Sequence, residues 1–355
     1  MSHTVLAINP GSTSTKIAVY DGEELRFEEE MRHSYEKLKQ FESILSQLEF
    51  RKSKILDRLN ARDFDLNELD AVVGRGGLLR PLKGGTYEVS DQMVKDLQIG
   101  ISGQHASNLG GLIAKELSDS LGKKAYIVDP VVVDELIPVS RISGHKDYER
   151  ISIFHALNHK ATARKVAREL STTYEESRFV IAHLGGGISV AAHMNGEAID
   201  VNNALGGEGP FSPERSGTLP LSTFLESCFQ EGMTKEKLEK QLIGEGGMVS
   251  YFGTNNMLAI EERIEAQDEE AELIFKAMAY QVAKEIAAVS IHFKGDLDAI
   301  ILTGGLAKST RFTQQVSELV SWIGKVIISP GEDELLALNE GTQRVLAKEE
   351  TAKVY

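Results

Sequence analysis

The residues best suited to chemistry are a few glycines, hydroxyls and cations packed into short turns. Asn9-Pro-Gly-Ser-Thr-Ser-Thr-Lys16 follows an apolar run and offers Gly11, Ser12, Thr13, Ser14 and Lys16. His183-Leu-Gly-Gly-Gly-Ile-Ser189 follows another and offers Gly185, Gly186, Gly187 and Ser189. Glycine lets a backbone turn tightly and turns its N–H groups outward as an anion nest; hydroxyls and a lysine add donors and charge. Both turns therefore read as phosphate grips, although the same glycines also suit an ordinary hairpin. Neither is a P-loop, because no G-x-x-x-x-G-K-[ST] occurs. In Leu302-Thr-Gly-Gly-Leu306, Thr303, Gly304 and Gly305 would let a flat group such as adenine or ribose lie against the backbone; a strand-to-helix connection is the other reading.

Two arginines sit where there is little apolar surface to cover. Arg75 interrupts Val72-Val-Gly-Arg-Gly-Gly77, and Arg215 lies in the glycine- and proline-rich stretch 206–217. Charge on a transferring phosphoryl group, or a substrate carboxylate, would account for both, as would a structural ion pair. His105, His155, His159 and His183 add ring nitrogens. His155 and His159 share a helix face, but no glutamate lies between them and no third ligand is evident, so a zinc pair is poorly supported. Asp129 stands at the end of an apolar strand, where α/β folds keep ligand residues; a turn before Pro130 would use it too.

These residues need strands that end together. Val5–Ile8 and Ile17–Tyr20 read as strands around the first turn, and Phe179–His183 and Ile188–Ala192 around the second. Ala71–Val73, Ala125–Val128 and Ala299–Ile301 read as buried strands. Helical patterns cover about Tyr35–Leu59, Asp91–Gly100, Asn108–Leu121 and His155–Leu170. The acidic run Glu261–Glu272 reads as a solvated helix face. Two segments echo each other without gaps. Gly11 falls on Gly185 and Asp21-Gly-Glu23 on Asn195-Gly-Glu197, while Leu69–Leu78 matches Leu297–Leu306 in its apolar, acidic and glycine positions. Their common order points to an internally duplicated α/β fold.

The chain has 355 residues, 41% of them hydrophobic, which exceeds the usual size of a single core and favours two domains. Its formal net charge of −14 disfavours nucleic acid and anionic membrane surfaces as partners. The one cysteine, Cys228, precludes an internal disulfide and reads as buried packing in an apolar helix. No segment resembles a signal peptide or a membrane span, so a cytoplasmic location is expected.

Together and in order, these residues resemble the acetate and butyrate kinase family, part of the sugar kinase, Hsp70 and actin superfamily. Asn9-x-Gly-Ser-x-Ser-x-Lys16 and His183–Ser189 are similar to its two phosphate motifs, Leu302–Leu306 to its adenosine motif, and Phe154-His-x-x-x-His159 to its F-H-G-T-S-H. The resemblance implies two duplicated actin-like (ribonuclease H-like) domains with a nucleotide cleft between them. They would span about 1–150 and 151–335, with a C-terminal helix near 336–355 packing back on the first. It further implies ATP/ADP and Mg²⁺ as cofactors, with Asn9 and Asp129 as possible metal contacts. Catalysis would rest on Arg75, Asp129, His155 and Arg215, and acid binding on Arg75, His105 and Arg215. The partners implied are a short-chain fatty acid and further copies of the chain, as a homodimer or larger assembly. Gly186 stands where acetate kinases have asparagine, and Lys308 near where they have a metal-associated glutamate. The stretch 137–150 and the loop 212–217 look more like the butyrate-using branch.

The chemistry follows from the acceptor. A carboxylate is already ionised at neutral pH and needs no general base. It needs charge neutralisation, since an anion must approach a polyanion. In-line transfer would use Arg75 and Arg215 on the carboxylate and the equatorial oxygens, His155 on the transition state and Asp129 to orient an arginine or the metal's waters. A sugar kinase on this scaffold would need an aspartate base, for which Asp200 is the candidate. A nucleotide-gated scaffold protein would leave the arginines and histidines unexplained.

Overall fold

The computed structural model describes residues 2–355, which fold as two compact units. The first comprises the chain up to Val133 together with Asp333–Tyr355; the second is Asp134–Glu332. The first unit holds a six-stranded mixed sheet. Its strands are β1 (Thr4–Pro10), β2 (Ser14–Asp21), β3 (Glu24–Arg32), β4 (Ala71–Arg75), β5 (Thr86–Glu88) and β6 (Lys124–Val128), in the order β3-β2-β1-β4-β6-β5. β1 is central and buried along its whole length, which is why its sequence is continuously apolar instead of alternating. β3 is one edge, β5 the other, and the glutamates of β3 suit a strand that must not pair with another chain.

The second unit holds β7 (Arg178–Leu184), β8 (Ile188–Met194), β9 (Glu197–Val201), β10 (Ala299–Gly304) and β11 (Val326–Pro330), in the order β11-β10-β7-β8-β9. Successive β7 side chains serve opposite faces. Phe179 and Ile181 pack with Ala163 and Val166 of the helix Ala156–Glu169; Val180 and Ala182 join Phe275, Met278 and Val282 of the helix Glu269–Val289.

The two sheets repeat one topology: an antiparallel meander, then two strands parallel to its first. The sequence echo places Val5 on Phe179 and Ala71 on Ala299. In the sheets Val5 pairs with Ala71, and Phe179 pairs with Ala299. The register between the first and fourth strands of each copy is therefore the same. The gapless match does not survive the glycine turn. Four residues lie between Pro10 and its partner Thr15, but three between Leu184 and Ile188, so the return strand slips by one. The next corner has two residues in both meanders, Gly22–Glu23 and Asn195–Gly196, and in the second both are left-handed.

Other expectations are corrected. The region 35–59 is not one helix: Tyr35–Leu38 is a single turn, and the long helix is Leu48–Ala61. The run Glu261–Glu272 breaks at Asp268, whose carboxylate caps the helix Glu269–Val289. Segment 134–150, expected with the first domain, belongs to the second unit: Glu135 is buried and bonds Lys160 and the Ala198 N–H, and the Ile137 N–H donates to Ile199 O. The helix Glu334–Leu346 lies in the first unit, with Gly341 against Val128. Cys228 is only partly buried, on a helix (Leu221–Cys228) that buries none of its residues. Among the described residues no helix is long and apolar enough to cross a membrane.

Candidate active site

The first unit places its candidates at the ends of β1 and β4. Asn9 and Arg75 occupy those ends, with Arg75 Nη1 donating to Asn9 Oδ1 at 3.5 Å. Both also meet a residue that the sequence reading missed. Glu334 Oε2 accepts from Asn9 Nδ2 at 2.5 Å and from Arg75 Nη1 at 2.9 Å. Glu334 opens the helix that follows β11, and an acidic triplet (Glu332-Asp-Glu334) after an apolar strand was the signal that could have found it. The turn between β1 and β2 leaves Ser12, Thr13 and Lys16 exposed, with Gly11 and Ser14 half-buried.

Asp129 stands just beyond β6, buried, with φ at +38°, an uncommon conformation for a residue other than glycine. Its carboxylate accepts the Gly85 N–H at 2.6 Å, and its own N–H donates back to Gly85 O. These two bonds tie Asp129 to the 80–86 loop. His105 is exposed in the turn before the helix Asn108–Leu121, its Nδ1 sharing a hydrogen bond with Ser107 Oγ at 2.8 Å.

In the second unit the predicted residues converge. His155 and His183 stack with ring centres 3.8 Å apart. His155 Nδ1 pairs with Ser189 Oγ at 2.9 Å, and His183 Nδ1 with Asn158 Oδ1 at 2.7 Å. Ser189 Oγ also meets His159 Nε2 at 2.9 Å, and His159 Nδ1 meets His193 Nε2 at 3.1 Å. His159 and His193 are fully buried, and burial holds both well below the ordinary histidine pKa. Burial thus keeps His159 neutral, and both its ring nitrogens are engaged, Nε2 by Ser189 and Nδ1 by His193.

Arg215 lies across the second glycine turn. A Cβ on Gly187 would stand 2.2 Å from Arg215 Nη1, so only glycine admits the guanidinium there. Nη1 donates to Ala204 O at 2.6 Å. Nε is buried without a hydrogen-bond partner. Desolvation lowers the Arg215 pKa, with the Glu214 charge opposing. Thr303 pairs with His183 in the sheet, and Gly304 (φ +88°) comes so close to Leu184 that a Cβ would lie 2.5 Å from its carbonyl oxygen. Gly185, Gly186, Gly305, Leu306, Lys308 and Glu332 line a cavity of about 770 Å³, within the size range of small-molecule sites. Glu332 accepts the Gly305 N–H at 3.1 Å and lies 3.3 Å from His183 Nε2. Asp200, the aspartate a sugar kinase would need, is held by Arg150 at 2.9 Å and by His292 at 3.0 Å.

Among the described residues no three His, Cys, Asp or Glu side chains gather as a metal cage. Mg²⁺ does not need one: it takes one or two carboxylates, waters and phosphate oxygens. The hard oxygen donors of Asn9 and Glu334 fit that demand; of the Asp129 carboxylate, Oδ1 accepts the Gly85 N–H.

Known proteins resemble this chain in sequence and in fold. Residues 145–355, more than half of the chain, match the model of the acetokinase family. A protein of Listeria innocua described as a probable butyrate kinase is 58% identical over 355 residues, covering 100% of both chains. The acetate kinase of Porphyromonas gingivalis superposes with a TM-score of 0.76 at 18% identity, covering 96% of this chain and 99% of that one. A propionate kinase from Francisella tularensis gives 0.74 at 16% identity, covering 96% and 98%. The fold is that of acetate kinases: two duplicated, actin-like α/β domains.

Proposed function

The chain belongs to the acetokinase family of carboxylate kinases, and on that premise we propose that it transfers the γ-phosphoryl group of Mg·ATP to butyrate, or makes ATP from butyryl phosphate in reverse. The observation that carries the phosphoryl-transfer reading is Arg215, a desolvated guanidinium over the second glycine turn with Nε buried and unpartnered. Butyrate is favoured over acetate or propionate by the described activity of the 58% identical relative.

A carboxylate oxygen attacks the γ-phosphorus as the bond to the β,γ-bridging oxygen breaks, and ADP leaves with that electron pair. No proton moves, so no base is needed. The pairing of Asp200 with Arg150 and His292 supports this acceptor over a hydroxyl. Arg215 meets charge on the equatorial oxygens, and its buried position strengthens that contact. His155, with Nδ1 tied to Ser189, offers its other ring nitrogen to the same group. Arg75 is assigned to the substrate carboxylate, with His105 as a further contact. Asp129 acts by fixing the Gly85 loop. Gly185–Gly187 and Asn9–Lys16 take the phosphates, and Thr303–Gly305 the nucleoside. Asn9 and Glu334 would hold Mg²⁺, which neutralises charge on the phosphates.

An acyl-hydroxamate assay with ATP, Mg²⁺ and hydroxylamine tests the reading across acetate, propionate, butyrate, isobutyrate and isovalerate. Maximal turnover at butyrate is expected. A maximum at another acid keeps the reaction and changes the substrate, and no hydroxamate from any acid overturns the proposal.

A further inference from the structure

Arg51, on the helix Leu48–Ala61, is fully buried at 0% exposure and heads the largest such side chains among the described residues. Its guanidinium reaches the first glycine turn from behind. Nη1 donates to Gly11 O and Ser14 O, each at 2.9 Å, and to Thr15 Oγ1 at 3.0 Å. Nη2 donates to Ser12 O at 3.3 Å and to Gln47 Oε1 at 2.9 Å, and Nε to the same Gln47 oxygen at 3.1 Å. Every one of these acceptors is neutral. The nearby Glu49 is paired with Lys52 instead. A buried cation with no anion is costly, and burial lowers the Arg51 pKa to about 10. The same charge, after burial itself, holds the neighbouring His33 at about 4, so His33 meets Thr15 Oγ1 as a neutral ring.

The contacts also fix which way the turn faces. In a trans peptide the C=O and the N–H of the next residue point in opposite directions. Drawing the Gly11 and Ser12 carbonyls onto Arg51 therefore turns the N–H groups of Ser12 and Thr13 away from it. Both residues are exposed. Resting on the kinase reading above, we propose that Arg51 is a positioning residue for the nucleotide's phosphates. Its fork presents the Ser12 and Thr13 N–H groups, and its charge, unmatched by any carboxylate among the described residues, is answered by the bound polyphosphate.

The test compares a ligand with phosphates to one without. Dissociation constants for ATP and for adenosine are measured by calorimetry on the full-length wild type, Arg51→Met and Arg51→Lys, with melting temperatures alongside. Arg51→Met is expected to weaken ATP by about tenfold or more and adenosine by less than about twofold. Arg51→Lys, which keeps the charge and loses the fork, should fall between wild type and Arg51→Met for ATP. Equal losses for both ligands, or an unchanged ATP affinity, overturn the proposal while leaving the kinase reading intact. Should Arg51→Met not fold, the same comparison on Arg51→Lys decides, with a selective loss of ATP supporting the role. A wild-type protein that binds no ATP overturns both.

Discussion

Removing the Arg215 guanidinium takes away a buried cation that few neighbours in its own unit neutralise. Arg215→Ala is therefore expected to lower kcat by about a thousandfold, in the range of a lost transition-state arginine, with a small change in melting temperature. Steady-state kinetics and thermal unfolding check this, and near-normal turnover would sink the assignment. A second expectation concerns protons. His33, His159 and His193 have folded pKa values depressed by burial, to about 4 for His33. Below the unfolded value near 6.5 the unfolded chain binds more protons than the folded one, so stability is full above about pH 6.5 and falls as pH drops towards 4. Urea midpoints at pH 7.5, 6 and 5 should decline in that order; a flat profile would contradict the burial of these rings. Arg75 and Arg215 stand out in sequence because an arginine among glycines has little apolar surface to cover. Arg51 was not, since Phe-Arg-Lys-Ser-Lys reads as a polar helix face, and only the turn it meets from far along the chain shows that it is buried. Glu334 was missed for the same reason: its partners, Asn9 and Arg75, come from the other end of the sequence.

The elements that carry these residues depend on close backbone approach. A Cβ on Gly74 would stand 2.0 Å from Gly110 O, so β4 and the helix Asn108–Leu121 touch through paired glycines. Gly74→Ala should cost about 3 kcal/mol in the urea unfolding of the first unit, because backbone and not a flexible side chain must yield. Gly187→Ala should behave differently. Its Cβ meets the end of Arg215, a side chain that can move, so turnover should fall far more than stability. If both variants lose stability alike, the distinction between a structural and a functional glycine fails here. Apolar runs and glycine turns were enough to find the two inner strands of each meander, along with β4, β6 and β10. They did not find β3, whose glutamates hide an edge strand, or the break at Asp268, where a helix cap sits inside a run of acids. Cys228 lies in an apolar stretch that reads as core, yet Phe229 beside it is 83% exposed. Local hydrophobicity does not reveal whether a partner surface covers it.

At the scale of the molecule, the chain leaves the first unit at Val133 and returns at Asp333. The returning helix buries Leu335 and Leu338, and Asn339 Nδ2 donates to Gly22 O. Deleting 333–355 should therefore abolish hydrogen-exchange protection in β1 and β4 and preserve it in β7 and β10. Equal loss in both sheets would contradict the division into two units. That return was expected from the family resemblance. The placement of 134–150 was misread because Glu135 and its partner Lys160 form a buried ion pair that no local pattern announces.

The shared register of the two sheets carries a historical consequence. Position for position, Asn9 in β1 corresponds to His183 in β7, and Arg75 in β4 to Thr303 in β10. An ancestral gene of half the length, encoding one meander with its two parallel strands, would have supplied the same residues to both copies. A duplication of that kind would leave the copies free to diverge at those sites. At those corresponding strand ends the first sheet carries an amide and a guanidinium, and the second an imidazole and a hydroxyl, so a duplicated frame now presents two different chemistries.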